Sequence, residues 1–178
     1  MIRATSSLSA ALLLAAGILT TAAPASADPA NLLGVFGKWS AYSTGTGSAM
    51  TCYAMSQPRA MQPKGAKRNA IYLMISDWPG RKIKAEPEIV PGYEYKPNAP
   101  VTLGIGSDKF SFFSRNDAKS GSAWLLSLND GAHLLDAMSH GVLAQATGTS
   151  AKGTRTVDTY SLAGFGDALA KMHAVCNM

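Results

Sequence analysis

Cysteine is nearly missing from this chain: 178 residues contain two, Cys52 and Cys176. That excludes a small disulfide-dense scaffold and any zinc site built mainly from thiolates. Charge is sparse as well, at 15% Asp, Glu, Lys and Arg, with a net charge of +5 and no block of like charges. Without a concentrated basic helix, a nucleic-acid partner is not expected. Histidine occurs three times and aromatic residues make up 8%. There is no Gly-x-Ser-x-Gly elbow to carry a serine nucleophile. Long hydrophobic runs are lacking too, apart from one near the N-terminus, Leu8 to about Ile18. It falls well short of the roughly 20 residues that span a bilayer as a helix.

That one run has a specific setting. Arg3 precedes it, small residues follow from Thr20 to Ala27, and Ala25-Ser26-Ala27 has the small-x-small form that a signal peptidase cuts. This is the layout of a secretory signal peptide, so cleavage near Ala27 is expected, with residues 1–27 outside the fold and no transmembrane segment afterwards. Residues 28–178 amount to a single domain, large enough to bury about two-thirds of its unfolded surface. The expected location is the periplasm or the outer surface, with secretion included. The moderate positive charge suits anionic partners such as acidic glycans or an anionic envelope component, although charge of this size also simply serves solubility.

The mature region breaks into short apolar runs separated by Gly, Pro, Asn and Ser, the pattern of an antiparallel β domain. Strands are expected at 36–43, 51–57, 69–76, 82–90, 100–106, 109–114, 123–127, 142–147 and 154–160. In 69–76 both faces are apolar, which predicts a central strand; Pro87 predicts that 82–90 lies at an edge. Asn129-Asp130 caps a short inserted helix running to His140, with Gly141 as a left-handed stop. Ser161 caps a C-terminal amphipathic helix, where Leu162, Phe165, Leu169, Met172 and Cys176 form one stripe. The expected fold is a mainly β, antiparallel β-sandwich-like domain carrying both helices. Export would place the two cysteines in an oxidising compartment, and the stripe turns Cys176 toward the sheet that holds Cys52. A disulfide is expected, with two free thiols or one reactive cysteine as the alternatives.

Several constellations admit chemistry and each has a plainer reading. His133, Asp136 and His140 share a helix face with ligand types that suit zinc, but a solvated polar face explains all of this. Asp158 and Tyr160 share a strand face and suit acid–base work, or hydrogen bonds to backbone and Ser/Thr neighbours. Glu86 and Glu88 have the pairing that glycosidases need, or form surface salt pairs with Lys82 and Lys84. Gly104-Ile105-Gly106 leads into a strand and offers no anion-binding helix end. No catalytic residues, metal ligands or cofactor are assigned, and the chain is read as a binding protein and not an enzyme. The candidate binding surface comprises two basic loops, Arg59, Lys64, Lys67, Arg68 and Arg81, Lys82, Lys84, with the aromatics Trp78, Tyr93 and Tyr95. The basic loops flank strand 69–76 at opposite ends and need not form one patch.

Three blocks carry a resemblance. The stretch GTSAKGTRTVDTYSLAGFGDALAKMHAVC (148–176), the segment Phe36-Gly37-Lys38-Trp39, and Cys52-Tyr53-Ala54-Met55-Ser56-Gln57-Pro58 together resemble the invasion-associated locus B protein family. The resemblance implies a small exported envelope protein linked to host-cell association or invasion, with a cysteine usual at each of the two positions found here. It implies no catalytic residues. The chain departs from the family at Ala85-Glu86-Pro87-Glu88-Ile89, and Ser43 lies where some relatives carry a further cysteine. A host-cell surface is thus one expected partner. The alternative role is a periplasmic ligand- or partner-binding protein that supports envelope integrity.

Overall fold

The computed structural model describes residues 29–117 and 120–178. The expected signal peptide lies outside the described residues. Eleven strands form one antiparallel sheet: β1 (Asn31–Phe36), β2 (Trp39–Thr44), β3 (Thr51–Ser56), β4 (Ala60–Gln62), β5 (Tyr72–Trp78), β6 (Ile83–Val90), β7 (Val101–Ile105), β8 (Asp108–Asn116), β9 (Gly121–Leu125), β10 (Leu143–Thr149) and β11 (Arg155–Ser161). Among the described residues two α-helices are added, α1 (Gly131–His140) between β9 and β10, and α2 (Phe165–Cys176) at the C-terminus. The class is the expected one, mainly antiparallel β with a short inserted and a C-terminal helix.

The spatial order is β1-β2-β3-β5-β6-β9-β8-β7-β10-β11-β4. The sheet curls until its two ends approach but does not close. The Lys38 amide in the β1–β2 turn donates to the Ala163 carbonyl beyond β11 (3.0 Å), and the Trp39 indole N–H donates to the Ser161 carbonyl (3.0 Å). Trp39 is fully buried and meets the Phe165 ring edge-on at 4.9 Å. One core runs through the molecule, with Leu73, Ile75, Ile89 and Leu103 from the sheet and Met138 and Met172 from the helices. Strand alternation supplies it: in β7 Val101, Leu103 and Ile105 point in while Thr102 and Gly104 point out.

Helix α2 lies across β1, β2, β3 and β5. Its buried positions are Phe165, Ala168, Met172 and Cys176. A disulfide joins Cys52 on β3 to Cys176, with Cα atoms 6.0 Å apart, so the expected bridge is present and the free-thiol alternatives fall away. Leu162 is buried but precedes the helix, and Leu169 is only partly buried.

Several expectations need correction. β1 and β4 are strands where the sequence suggests none, because Leu32, Val35 and residues 60–62 stay exposed and lack a core-facing period. β6 is not an edge strand: it pairs with β5 along its length and with β9 at Glu88↔Trp124 and Ile89↔Ala123. β9 reaches only those two residues, so the half of β6 that holds Pro87 has a single ladder partner, and a residue without an N–H is tolerated there. Asn129 and Asp130 belong to a 3-10 turn and make no side-chain cap bond. Gly141 is extended (φ −77°), not left-handed; what demands glycine is crowding, since a Cβ would sit 2.7 Å from the Ala137 carbonyl oxygen and 2.7 Å from Ile105 Cγ2. Gly164, in the left-handed region at φ 89°, starts α2, while Ser161 Oγ accepts from the Ala163 amide one turn earlier.

Candidate functional site

The curl of the sheet leaves a depression on the outer face, where β6 and β9 diverge below their two shared pairs. It is an open groove of about 780 Å3, lined by Trp78, Arg81, Lys82, Lys84, Glu86, Glu88, Phe113, Arg115, Trp124 and Leu128 among others. Period-two alternation builds both walls. On β6, Ala85, Pro87 and Ile89 face inward and Glu86 and Glu88 outward. On β8, the adjacent Phe112 and Phe113 must face opposite sides, so Phe112 enters the core and Phe113 is left 38% exposed. Trp124 sits outward between buried Ala123 and Leu125.

The groove's polar groups are held in place. Trp78 Nε1 donates to Glu86 Oε2 at 3.0 Å. Burial raises the pKa of Glu88, and the neighbouring Glu86 charge adds to this, while a Ser122 hydrogen bond works the other way. Arg81 lies over the Trp78 ring (5.3 Å to its centre) and Arg115 over Phe113 (5.6 Å). Phe113 and Trp124 stand 5.8 Å apart. No ion pair involving Glu86 or Glu88 occurs among the described residues, so the surface salt pairing with Lys82 and Lys84 is replaced by bonds to Trp78 and Ser122.

A buried support lies behind the β6 wall. The pairing of β5 with β6 shifts between Ser76↔Glu86 and Trp78↔Ile83, which leaves an extra residue on β6. Ala85 in this bulge has φ 53°, a strained value for a residue with a Cβ. The fully buried Asp77 holds it there: Oδ1 accepts the Ala85 amide at 2.8 Å, and Oδ2 lies 2.6 Å from His173 Nδ1 on α2. Asp77 is also the register partner of Cys52. The disulfide, α2 and the groove wall therefore meet at one carboxylate.

Nine of the ten candidate surface residues fall into three groups, and Tyr95 into none. Trp78, Arg81, Lys82 and Lys84 line this groove. Lys67, Arg68 and Tyr93 border a separate hollow of about 290 Å3, together with Lys152 and Thr156. Arg59 and Lys64 are exposed beside β4 and line neither. Two of the candidates offer no surface. Tyr95 is 1% exposed and belongs to the core, where burial pushes its phenol far up. The Arg68 side chain is 5% exposed and grips Asp158 through both terminal nitrogens, Nη1–Oδ2 at 2.8 Å and Nη2–Oδ1. The bond to Asp158 raises the Arg68 pKa further. Asp158 is thus committed to a partner 90 residues away, not to backbone or Ser/Thr neighbours. Tyr160 is buried with no hydrogen-bond partner for its hydroxyl, and Tyr93 Oη meets Thr156 Oγ1 at 2.6 Å.

The sequence reading missed Phe113, Arg115, Trp124 and Leu128. The Phe112-Phe113 pair within a strand is the signal that finds the first, because one of two adjacent aromatics must face out. On α1, His133 Nε2 faces Asp108 (3.4 Å) and His140 Nδ1 faces Asp136 (3.2 Å), all exposed, and no group of three metal-ligand side chains occurs among the described residues. No described helix is long and apolar enough to cross a membrane.

No protein-family model matches this sequence, and a search of curated protein sequences yields no match. Among solved structures, the fold is similar to the crystal structure of invasion associated protein B from Bartonella henselae, with a TM-score of 0.56. The two are 14% identical over an alignment that covers 82% of this chain and 98% of the other, a likeness of fold.

Proposed function

We propose that this chain is an exported envelope protein that acts in host-cell association by binding, without catalysis. The likeness in fold to invasion associated protein B carries the reading, and the sequence blocks around Trp39, Cys52 and Cys176 support it because they are the ones that lock the fold. The outer groove is the contact surface: it places exposed aromatic and basic side chains together on a rigid sheet. Glu86 and Glu88 share one strand face there, but Glu86 is engaged by Trp78, so they are read as ligand-orienting groups and not as a hydrolytic pair.

The test is saturable binding of the purified, oxidised protein to intact host cells, measured against the producing bacterium's own envelope fractions at low and physiological salt. Saturable binding that prefers host cells is expected. Binding to the bacterial envelope alone would replace this reading with the periplasmic, envelope-supporting one, and binding to neither would reject both.

A further inference from the structure

We propose that the groove between β6 and β9 holds an acidic oligosaccharide, a chain of sugar rings bearing carboxylate or sulfate groups. This deepens the binding role proposed above and rests on it. The argument starts from charge. Four cations, Arg81, Lys82, Lys84 and Arg115, line the groove against two carboxylates, Glu86 and Glu88, so its net character is positive. The cations are not spread at random: Arg81 and Arg115 each sit over an aromatic ring, Trp78 and Phe113. At two places along one groove a guanidinium fork is therefore stacked against aromatic surface, and the Trp124 ring stands 5.8 Å from Phe113 beside one of them. A sugar ring with an anionic substituent has the complementary pairing, an apolar C–H face beside a charged group.

The carboxylates narrow the class further. Glu86, oriented by the Trp78 indole, and Glu88, beside Ser122, are acceptors in the middle of a cationic groove. They match the hydroxyl donors of a sugar and repel a dense polyanion that has no donors, such as polyphosphate. An extended peptide is also disfavoured, although β6 has only one ladder partner over Ile83–Pro87. The bulge at Ala85, the missing donor of Pro87, and the exposed Lys82 and Lys84 are features that keep a sheet edge from accepting another strand. The groove is open to an occupant that stacks and accepts hydrogen bonds from side chains, and closed to one that needs a backbone ladder.

The experiment is a direct binding titration of the purified protein with a heparin-derived oligosaccharide. Chitooligosaccharide (neutral) and polyphosphate (charged, without sugar) serve as comparison probes, at two salt concentrations. The expected result is preference for the acidic sugar, at least tenfold weakened in Arg81→Gln/Arg115→Gln and in Trp124→Ala, and unchanged in Lys67→Gln/Lys152→Gln at the separate hollow. The arginine pair is exposed, so its removal tests the site even where Trp124→Ala disturbs folding. Equal binding of polyphosphate, equal binding of the neutral sugar, or loss through the Lys67/Lys152 variant in place of the groove variants would each overturn the assignment. No binding to any probe while host-cell binding persists would refute the acidic sugar and leave the adhesive role standing. Loss of host-cell binding with sugar binding intact would do the reverse.

Discussion

Removing the Cys52–Cys176 bridge is the perturbation whose size the structure sets most directly. The crosslink spans 124 residues of sequence, most of the described chain. In the chain-entropy account, a loop of that length constrains the unfolded ensemble by roughly 5 kcal/mol. A chain of this size changes its midpoint by about 2–4 °C per kcal/mol, which predicts a fall of about 10–20 °C on removal. Both cysteines are buried, so the test variant is Cys52→Ala/Cys176→Ala, which leaves no buried hydroxyl. Thermal unfolding followed by circular dichroism, with intact mass to verify the oxidation state, gives the comparison. The mechanism is separable through His173→Ala. That change removes the partner of a fully buried carboxylate oxygen and acts on the native state, at a cost of about 2 kcal/mol. If the bridge acts through the unfolded state, the two losses add to within about 0.5 kcal/mol in the combined variant. A midpoint shift under 3 °C on breaking the bridge would refute the entropic reasoning. A combined loss well below the sum of the two would show instead that the bridge clamps α2 onto Asp77 in the folded protein.

Three further outcomes follow from particular contacts. Arg68→Met leaves the buried Asp158 carboxyl without its partner, and about 3–5 kcal/mol of stability is lost; Arg68→Met/Asp158→Leu recovers most of it, as urea unfolding of the three proteins will show. Gly164→Ala forces a side chain into a left-handed position against the Phe36 backbone and costs about 2–4 kcal/mol by the same assay. Glu88→Gln tests the raised carboxyl. Because its folded pKa lies above the unfolded one, ionised Glu88 opposes folding. The destabilisation is absent below pH 4.5 and develops as pH rises through the folded value. Glu88→Gln therefore matches the parent in acid and gains stability relative to it toward neutral pH. A flat difference from pH 4 to 8 would remove Glu86 and burial as the cause.

How far the sequence carries can be judged from single residues. The amphipathic stripe of α2 was legible because buried Phe165, Met172 and Cys176 recur at helical spacing, and it turned Cys176 toward β3 as the structure has it. β5 was legible as a central strand because both of its faces are apolar. β4 and β1 were not, since a strand held by backbone pairing with little burial leaves no hydrophobic period. Pro87 misled because proline reports a missing ladder bond locally, whereas an interior strand can lack a neighbour over half its length. Arg68 and Lys67 read alike in sequence; only Asp158, brought in from β11, makes one a buried partner and leaves the other at the surface.

What the sequence alone determined was therefore local and periodic: an antiparallel β chain, two helices, and one helix face carrying a cysteine. Those follow from side-chain alternation and spacing, which neighbouring residues encode. Tertiary structure decided which strands meet, where β6 and β9 part, and so which side chains share a groove. Trp78, Glu86, Phe113, Arg115 and Trp124 come from four strands, and no rule of spacing links them. Their meeting depends on sheet order and on a bulge held by Asp77 through contacts spanning up to 96 residues. Such contacts are set by the packing free energy of the whole core, which no local pattern records.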